Sequence, residues 1–374
     1  MVWDCGLLFG ITAAFLIHLF FIFRMGRVGR IQRTKHNSPS HITGVSVIVC
    51  AQNAADQLNT LIPELLDQNH KNYEVIVVND HSNDHSLEVL SRIKSSDDRL
   101  RVIDFKGVDN KIPGKKQALK LGIEASKFDL LLLTDADCRP ASKDWVQLMT
   151  APLTKRKLLV LGYGGLDKKP GVLNALIRYE TAMTASLYLG QAMAHFPYMG
   201  VGRNLAYHKS LLERYTQSEE HARFPSGDDD LLVNHCATAQ NTSWMIEPDS
   251  FTWSLPKTTW TEWIRQKRRH ITAAHHYRRQ TQLTLGLYAG SIVVFYALSL
   301  LGIFLNSSNS IHFKIIMGLF MLRAVIVIWQ LKPGFKRLKT SDLILWTPLL
   351  EPILICAQMV IFVWNRFSKP SHWN

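Results

Sequence analysis

The chain has 374 residues, with 43 lysines and arginines against 30 acids, and a formal net charge of +13. A mean hydropathy near zero hides four apolar stretches, 2–23, 284–305, 311–330 and 343–364, each close to the ~20 residues that cross a ~30 Å hydrocarbon core. Disorder, a secreted disulfide scaffold and a purely soluble enzyme are thereby excluded, leaving a membrane protein with a large aqueous domain.

The first stretch opens on Met1-Val2-Trp3-Asp4 without a positive charge, and no small-x-small cleavage site precedes the basic run. Residues 1–24 therefore read as a retained transmembrane signal anchor. Arg24, Arg27, Arg30, Arg33 and Lys35 follow, with no acid before Asp56. The positive-inside rule places this run and the domain after it in the cytoplasm, and the chain as an integral plasma-membrane protein. Loop 306–310 is uncharged and reads as external. Loop 331–342, with Lys332, Lys336, Arg337 and Lys339, reads as internal. The tail would then lie outside, although it carries Arg366 and Lys369; Pro348, Glu351 and Pro352 leave the last segment either a full crossing or a bent, re-entrant element. Fifteen of the 43 basic residues fall in the runs 24–35, 265–279 and 331–342 beside these stretches. Attraction to membrane lipids, at ~1 kcal/mol per cation, explains them without nucleic acid. Five cysteines (Cys5, Cys50, Cys138, Cys236, Cys356), an odd number with no C-x-x-C pair, read as unpaired reduced thiols.

Between residues 43 and 255 short apolar runs alternate with helical periodicity. Val45–Ala51, Tyr73–Asn79, Leu100–Phe105 and Asp129–Thr134 read as strands, and 57–68, 84–94 and 115–126 as amphipathic helices. Continuous apolar strands between helices predict an α/β domain whose mostly parallel sheet is covered on both faces. Ligands of such sheets bind beyond the carboxyl ends of the strands.

The residues at those ends carry the chemistry. Strand two ends at Asp80, where a carboxylate can accept from a nucleobase or ribose; a turn or N-cap aspartate is the other reading. Strand four ends in Asp135-Ala136-Asp137, whose carboxylates project to one side and call for a divalent cation, Mg²⁺ or Mn²⁺, with a diphosphate. Gly114-Lys115-Lys116 opens a helix with cations that oppose its dipole, so it suits either an anionic partner or solvent. Asp228-Asp229-Asp230 precede an apolar stretch, as an acidic helix start also would. Residues 256–280 combine Trp260 and Trp263 with the six cations of 265–279 and suit an amphipathic helix in the membrane interface. There is no Walker loop, and no G-x-G-x-x-G follows strand one.

Taken in order, these elements resemble a membrane-anchored family 2 glycosyltransferase over residues 43–280. Seven segments carry the likeness: VSVIVCAQN (45–53), IVVNDHS (76–82), GKKQAL (114–119), Asp135-Ala136-Asp137, GVGRNLAY (200–207), Asp228-Asp229, and Gln266–His270, which is similar to Q-x-x-R-W. The resemblance implies an inverting enzyme with a GT-A nucleotide-sugar domain at 43–255, an interfacial helix at 256–280 and three transmembrane helices at 284–364. It also implies a UDP-sugar donor held by Asn53, Asp80, Lys115 and Asp135, and a metal at Asp137 and Asp135. A lipid-linked or glycan acceptor would meet Gly202, Asn204 and His270. Asp229 would be the general base, with Asp228, Gln266 and Arg269 beside it. Two departures stand out: Asn53-Ala54 lacks the usual acid after the asparagine, and His270 replaces the tryptophan that stacks on the acceptor. A nucleotidyltransferase and a non-catalytic sugar-nucleotide-binding membrane protein are the rival readings.

On this reading Asp229 takes a proton from the acceptor hydroxyl as it attacks the anomeric carbon in line. Transfer is late and concerted, or like-charge crowding by Asp228 and Asp230 strengthens the base. In the membrane, Arg323 and Glu351 lie at depths of ~10 and ~12 Å from one face, close enough to pair; a snorkelling Arg323 and a re-entrant Glu351 are the alternative.

Overall fold

A computed structural model describes residues 2–31, 43–107, 114–213 and 228–368. Arg33, Lys35 and Lys369 lie outside the described residues, and of Asp228 only the backbone is described.

The central sheet has seven strands in the order β3-β2-β1-β4-β8-β6-β9. β1 (Val45–Ala51), β2 (Tyr73–Asp80), β3 (Leu100–Phe105) and β4 (Leu130–Asp135) run parallel. β8 (Leu205–His208) is antiparallel to both β4 and β6 (Leu159–Leu161), and β9 (Thr242–Trp244) is parallel to β6. All eight residues of β2 and six of the seven in β1 are buried, as expected of strands covered on both faces. Helices Ala55–Leu66, Ser86–Lys94 and Gly114–Ala125 supply much of that cover. One buried polar pair inside these strands is satisfied, since Ser46 Oγ donates to Glu74 Oε1 at 2.7 Å. The order reverses between β1 and β4, which opens a crevice at their carboxyl ends. A second sheet, β5 (Cys138–Pro140), β10 (Thr252–Ser254) and β7 (Gly164–Leu166), stands beside it; its three-residue strands are too short for periodicity to reveal.

Among the described residues, four helices are long and apolar enough to cross a membrane, at Cys5–Arg30, Arg279–Leu305, Ile311–Arg337 and Ser341–Phe367. The third runs through Pro333, so Lys332, Lys336 and Arg337 sit on its last turns rather than in a loop. The fourth continues through Pro352 as an α-helix from Thr347 to Phe367, about 31 Å long at 1.5 Å per residue, a length that suits a full crossing. Arg323 Nη2 lies 2.7 Å from Glu351 Oε2, and Tyr296 bridges them.

Three arginines of the first basic run contact protein. Arg24 donates to Gln191 at 2.6 Å, Arg27 to the Met193 carbonyl at 2.9 Å and Arg30 to Gln330. Arg24 and Arg27 clamp the N-terminal helix onto the long helix Val172–Met193, where a Cβ at Gly190 would lie 2.6 Å from the Arg24 carbonyl oxygen, and Arg30 ties it to the helix Ile311–Arg337. Close backbone approach explains that glycine.

Candidate active site

Asp135 is the last residue of β4, beside Cys50 of β1. Lys115, in the first turn of helix Gly114–Ala125, places Nζ 2.9 Å from Asp135 Oδ1. From the opposite side Asp229, near the start of helix Asp228–Cys236, accepts the Gly202 N–H through Oδ2. A Cβ on Gly202 would lie 2.8 Å from that oxygen, so the missing side chain lets the main chain reach the carboxylate. Lys115, Asp135, Gly202 and Asp229 line one cavity of about 30 Å³. Sequence positions 115, 135, 202 and 229 are thus brought together.

The charges are unequally balanced. Desolvation alone would lower the Lys115 pKa, but Asp135 and Asp229 raise it well above the ordinary lysine value. Desolvation likewise opposes the charge on Asp135, yet Lys115 and Arg203 bring its pKa below the usual carboxylate range. Asp137 goes the other way, because desolvation and then the Asp135 charge raise it. Asp135 has its counter-ion, whereas Asp137 has a net demand for positive charge.

Donor atoms of Asp135, Asp137 and Cys138 lie within 4.8 Å of one another, a grouping that fits a divalent cation. The Cys138 thiol is buried, and desolvation, then Asp135 and Asp137, push its pKa up. It donates to Asp137 Oδ1 at 3.6 Å, leaving carboxylate oxygens as the hard donors. Asp137→Ala is expected to abolish metal-dependent donor binding in calorimetry while leaving the thermal midpoint near wild type. Equally tight metal-dependent binding would contradict this site.

Several sequence-predicted residues take other places. Asn204 is fully buried; its amide donates to the Tyr163 and Ser250 carbonyls at 2.9 and 2.8 Å and accepts from Trp145 Nε1 at 3.0 Å. Its hydrogen bonds tie together the segments of Trp145, Tyr163 and Ser250, which gives the side chain a structural role beside the expected acceptor contact. Asn204→Ala is expected to destabilise the protein by at least about 2 kcal/mol, because a buried indole N–H and two carbonyls lose their partner. A thermal midpoint in detergent checks this, and an unchanged midpoint with altered acceptor use would leave only the acceptor role.

Asn53, at φ +49, accepts from the Asn83 N–H through Oδ1 at 2.8 Å and donates its own N–H to Ser82. Its carbonyl oxygen therefore joins two loops. Asp84 accepts the Ala55 N–H at 3.1 Å, so a carboxylate does reach the segment after Asn53-Ala54, from the loop after β2. Asp80 is buried at the end of β2, with Oδ1 2.6 Å from His81 Nδ1. Asp230 accepts from the Tyr277 hydroxyl at 2.8 Å, which spends on a phenol the charge expected to crowd Asp229.

Gln266, Arg269 and His270 share one face of the helix Trp260–Ala273 at i, i+3 and i+4. That helix is anchored to protein as well as shaped for an interface. Trp263 Nε1 and Lys267 Nζ both reach the buried Glu180, at 3.2 and 2.8 Å, and Arg268 donates to Asn365 at 2.8 Å. His270 is exposed; even so, desolvation by the surrounding protein and then Lys267, Arg269, Arg203 and Lys115 push its pKa down to about 3. It is therefore a neutral ring in a cationic setting, without a proton to give near neutral pH.

Arg203 was not singled out by its sequence. Its carbonyl accepts from Thr134 and Thr252, its Nη1 donates to Ser254, and a Cβ on Gly164 would lie 2.6 Å from its Nε. It acts on Asp135, Asp137 and His270 electrostatically. The only sequence signal was an arginine where small residues surround it.

Residues 46–215 match the profile of Glycosyl transferase family 2. An uncharacterized glycosyltransferase of Haemophilus influenzae is 32% identical over 114 residues, 30% of this chain and 33% of that protein. A probable glycosyltransferase, YdaM of Bacillus subtilis, is 24% identical over 232 residues, 60% of this chain and 54% of that one. The chain thus spans between a third and about half of the length of these curated relatives. The mannosyltransferase PcManGT from Pyrobaculum calidifontis, solved in complex with GDP-Man and Mn²⁺, superposes with a TM-score of 0.61 at 16% identity, covering 97% of this chain and 99% of that one. At that identity the likeness shows the fold, a GT-A-like sheet with membrane-length helices.

Proposed function

We propose, from the premise that this chain carries a family 2 glycosyltransferase domain over residues 46–215, that it moves a sugar from a nucleotide-sugar, a UDP-sugar in the first instance, to a hydroxyl of a lipid-linked or glycan acceptor. The catalytic domain would work at the cytoplasmic face of the plasma membrane, because the cations of the first and third apolar helices cluster at the ends that meet it. The observation that carries the reading is Asp229, held by Gly202 N–H in one cavity with the Lys115–Asp135 pair, while Asp137 groups with Asp135.

Asp137 and Asp135 would hold Mg²⁺ or Mn²⁺, which when bound supplies positive charge to the diphosphate leaving group. Lys115 exchanges Asp135 for a phosphate oxygen as the donor enters, since both are anionic and the lysine stays protonated. Arg269 adds charge from the neighbouring helix, where desolvation and Arg265 lower its pKa without discharging it. Asp80 and the Asn53 loop border the nucleoside end. Gly202 N–H fixes one Asp229 oxygen, leaving the other lone pairs to receive the acceptor proton. A carboxylate is a weak base toward a hydroxyl, so proton transfer is late and coupled to formation of the new bond. One displacement inverts the anomeric centre without a covalent enzyme intermediate. His270, neutral and smaller than tryptophan, offers the acceptor a hydrogen bond in place of a broad stacking face.

The test is nucleoside-diphosphate release by the purified full-length protein from a panel of UDP-sugars, with mass spectrometry of co-purifying lipids to find the acceptor. GDP-sugars belong in the panel because the mannosyltransferase was solved with GDP-Man. Release that rises with acceptor is expected. Donor binding without turnover, or diphosphate release from a nucleoside triphosphate, would contradict glycosyl transfer.

A further inference from the structure

Behind the cleft lies a cavity of about 420 Å³ that the reaction does not use. β10 separates the two, because its side chains alternate between faces. Thr252 and Ser254 face the cleft and bond Arg203. Trp253 points the other way and lines the cavity with Arg139, its cross-strand partner on β5. The indole lies over Gly165, where a Cβ would come within 2.5 Å of the ring. Lys168 and Arg178 form a second wall, Lys339 comes from the turn that joins the third and fourth apolar helices, and Asp342 from the first turn of the fourth. The cavity therefore sits where the catalytic domain meets the end of the membrane helices.

Its charge is unbalanced: Arg139, Lys168, Arg178 and Lys339 face only Asp167 and Asp342. Asp342 is saturated, since Arg178 grips both its oxygens at 2.9 Å and Lys168 Nζ lies 2.9 Å away. Arg139 Nη2 meets Asp167 at 2.5 Å. Two positive charges are left over. The Arg178 side chain is 5% exposed, and its buried Nε–H has no hydrogen-bond partner, an unmet demand for an acceptor oxygen. Lys339 is exposed at φ +59, just past the helix end, where glycine is the usual residue. A lysine retained there at a conformational cost points to a use for its side chain.

We propose that this cavity binds a phosphate group, as a phosphoester of the lipid headgroup layer or as free phosphate, between Lys339, Lys168 and Arg139. Its position at the helix ends and the interfacial Trp253 favour the lipid source. An occupant bridges Arg139, two residues beyond Asp137, to the membrane turn, and so ties the strand after the D-x-D to the membrane domain.

The experiment uses full-length protein in nanodiscs of phosphatidylcholine, with or without phosphatidylglycerol, and reads both the thermal midpoint and the lipid retained in native mass spectrometry. Phosphatidylglycerol should raise the midpoint of the wild type and be retained. Lys339→Ala and Lys168→Ala should each weaken retention about fivefold. Lys339→Arg should restore it, and Lys332→Ala, an exposed cation outside the cavity, should change nothing. Inorganic phosphate added to phosphatidylcholine discs separates the sources: if it stabilises the wild type but not Lys339→Ala, the site stands and its ligand is soluble. Equal responses in wild type and Lys339→Ala, or equal losses in Lys339→Ala and Lys332→Ala, would overturn the proposal.

Discussion

Asp229→Asn is expected to lower kcat about 10²–10⁴-fold while donor affinity stays near wild type. The substitution keeps size and leaves an amide oxygen able to accept the Gly202 N–H, so the local backbone has no reason to move. What it removes is the capacity to take a proton, together with one negative charge beside Lys115. Because Asp135 remains as the nearer counter-ion of Lys115, at 2.9 Å, the lysine stays protonated and available to phosphate. Single-turnover kinetics paired with calorimetric donor binding separate the two effects. Unchanged turnover would remove Asp229 from the base role, and joint loss of binding and turnover would make it a structural partner of Lys115.

The second large effect is expected in the membrane domain, far from any proton transfer. Arg323 and Glu351 are each nearly fully buried, 2.7 Å apart, and the Tyr296 hydroxyl donates to Glu351 at 2.7 Å while accepting from Arg323 at 3.0 Å. The guanidinium also sits about 5.0 Å from the rings of Phe295 and Tyr296. Removing one charge leaves the other unpaired among apolar helices, at a cost of about 3–5 kcal/mol. Arg323→Leu and Glu351→Leu should therefore each lower the thermal midpoint sharply. The double variant should recover much of the loss, because it buries no lone charge. Strictly additive losses across the cycle would contradict a coupled pair.

Which of these features could be read in the sequence follows from how far each signal reaches along the chain. Strands β1, β2 and β4 could be read because burial on both faces makes them largely apolar runs, and the acids that end β4 stand out against that background; β3, at the sheet edge, keeps only a β-branched apolar pattern broken by Arg101 and Asp104. The Arg323–Glu351 pair was legible because two charges in apolar segments at matching depth have few other places to go. The structural role of Asn204 was not legible, because a polar residue in a glycine-rich motif looks like a ligand contact and its partners, Trp145, Tyr163 and Ser250, come from three distant segments. The basic runs were read as lipid-facing for a similar reason. Arg24, Arg27 and Lys267 have acceptors 87 or more positions away in sequence, which no local pattern records. Arg203 and the three-residue strands β5, β7 and β10 gave no periodic signal, although together they separate the cleft from the cavity behind it.

The measurement that bears most directly on the central claim is the anomeric configuration of the transferred sugar, read by NMR on the product of the purified protein with its best donor. A single in-line displacement driven by Asp229 gives a product whose configuration is inverted relative to the donor, with no sugar left on the protein. A retained configuration, or a sugar covalently attached to a side chain, would contradict it.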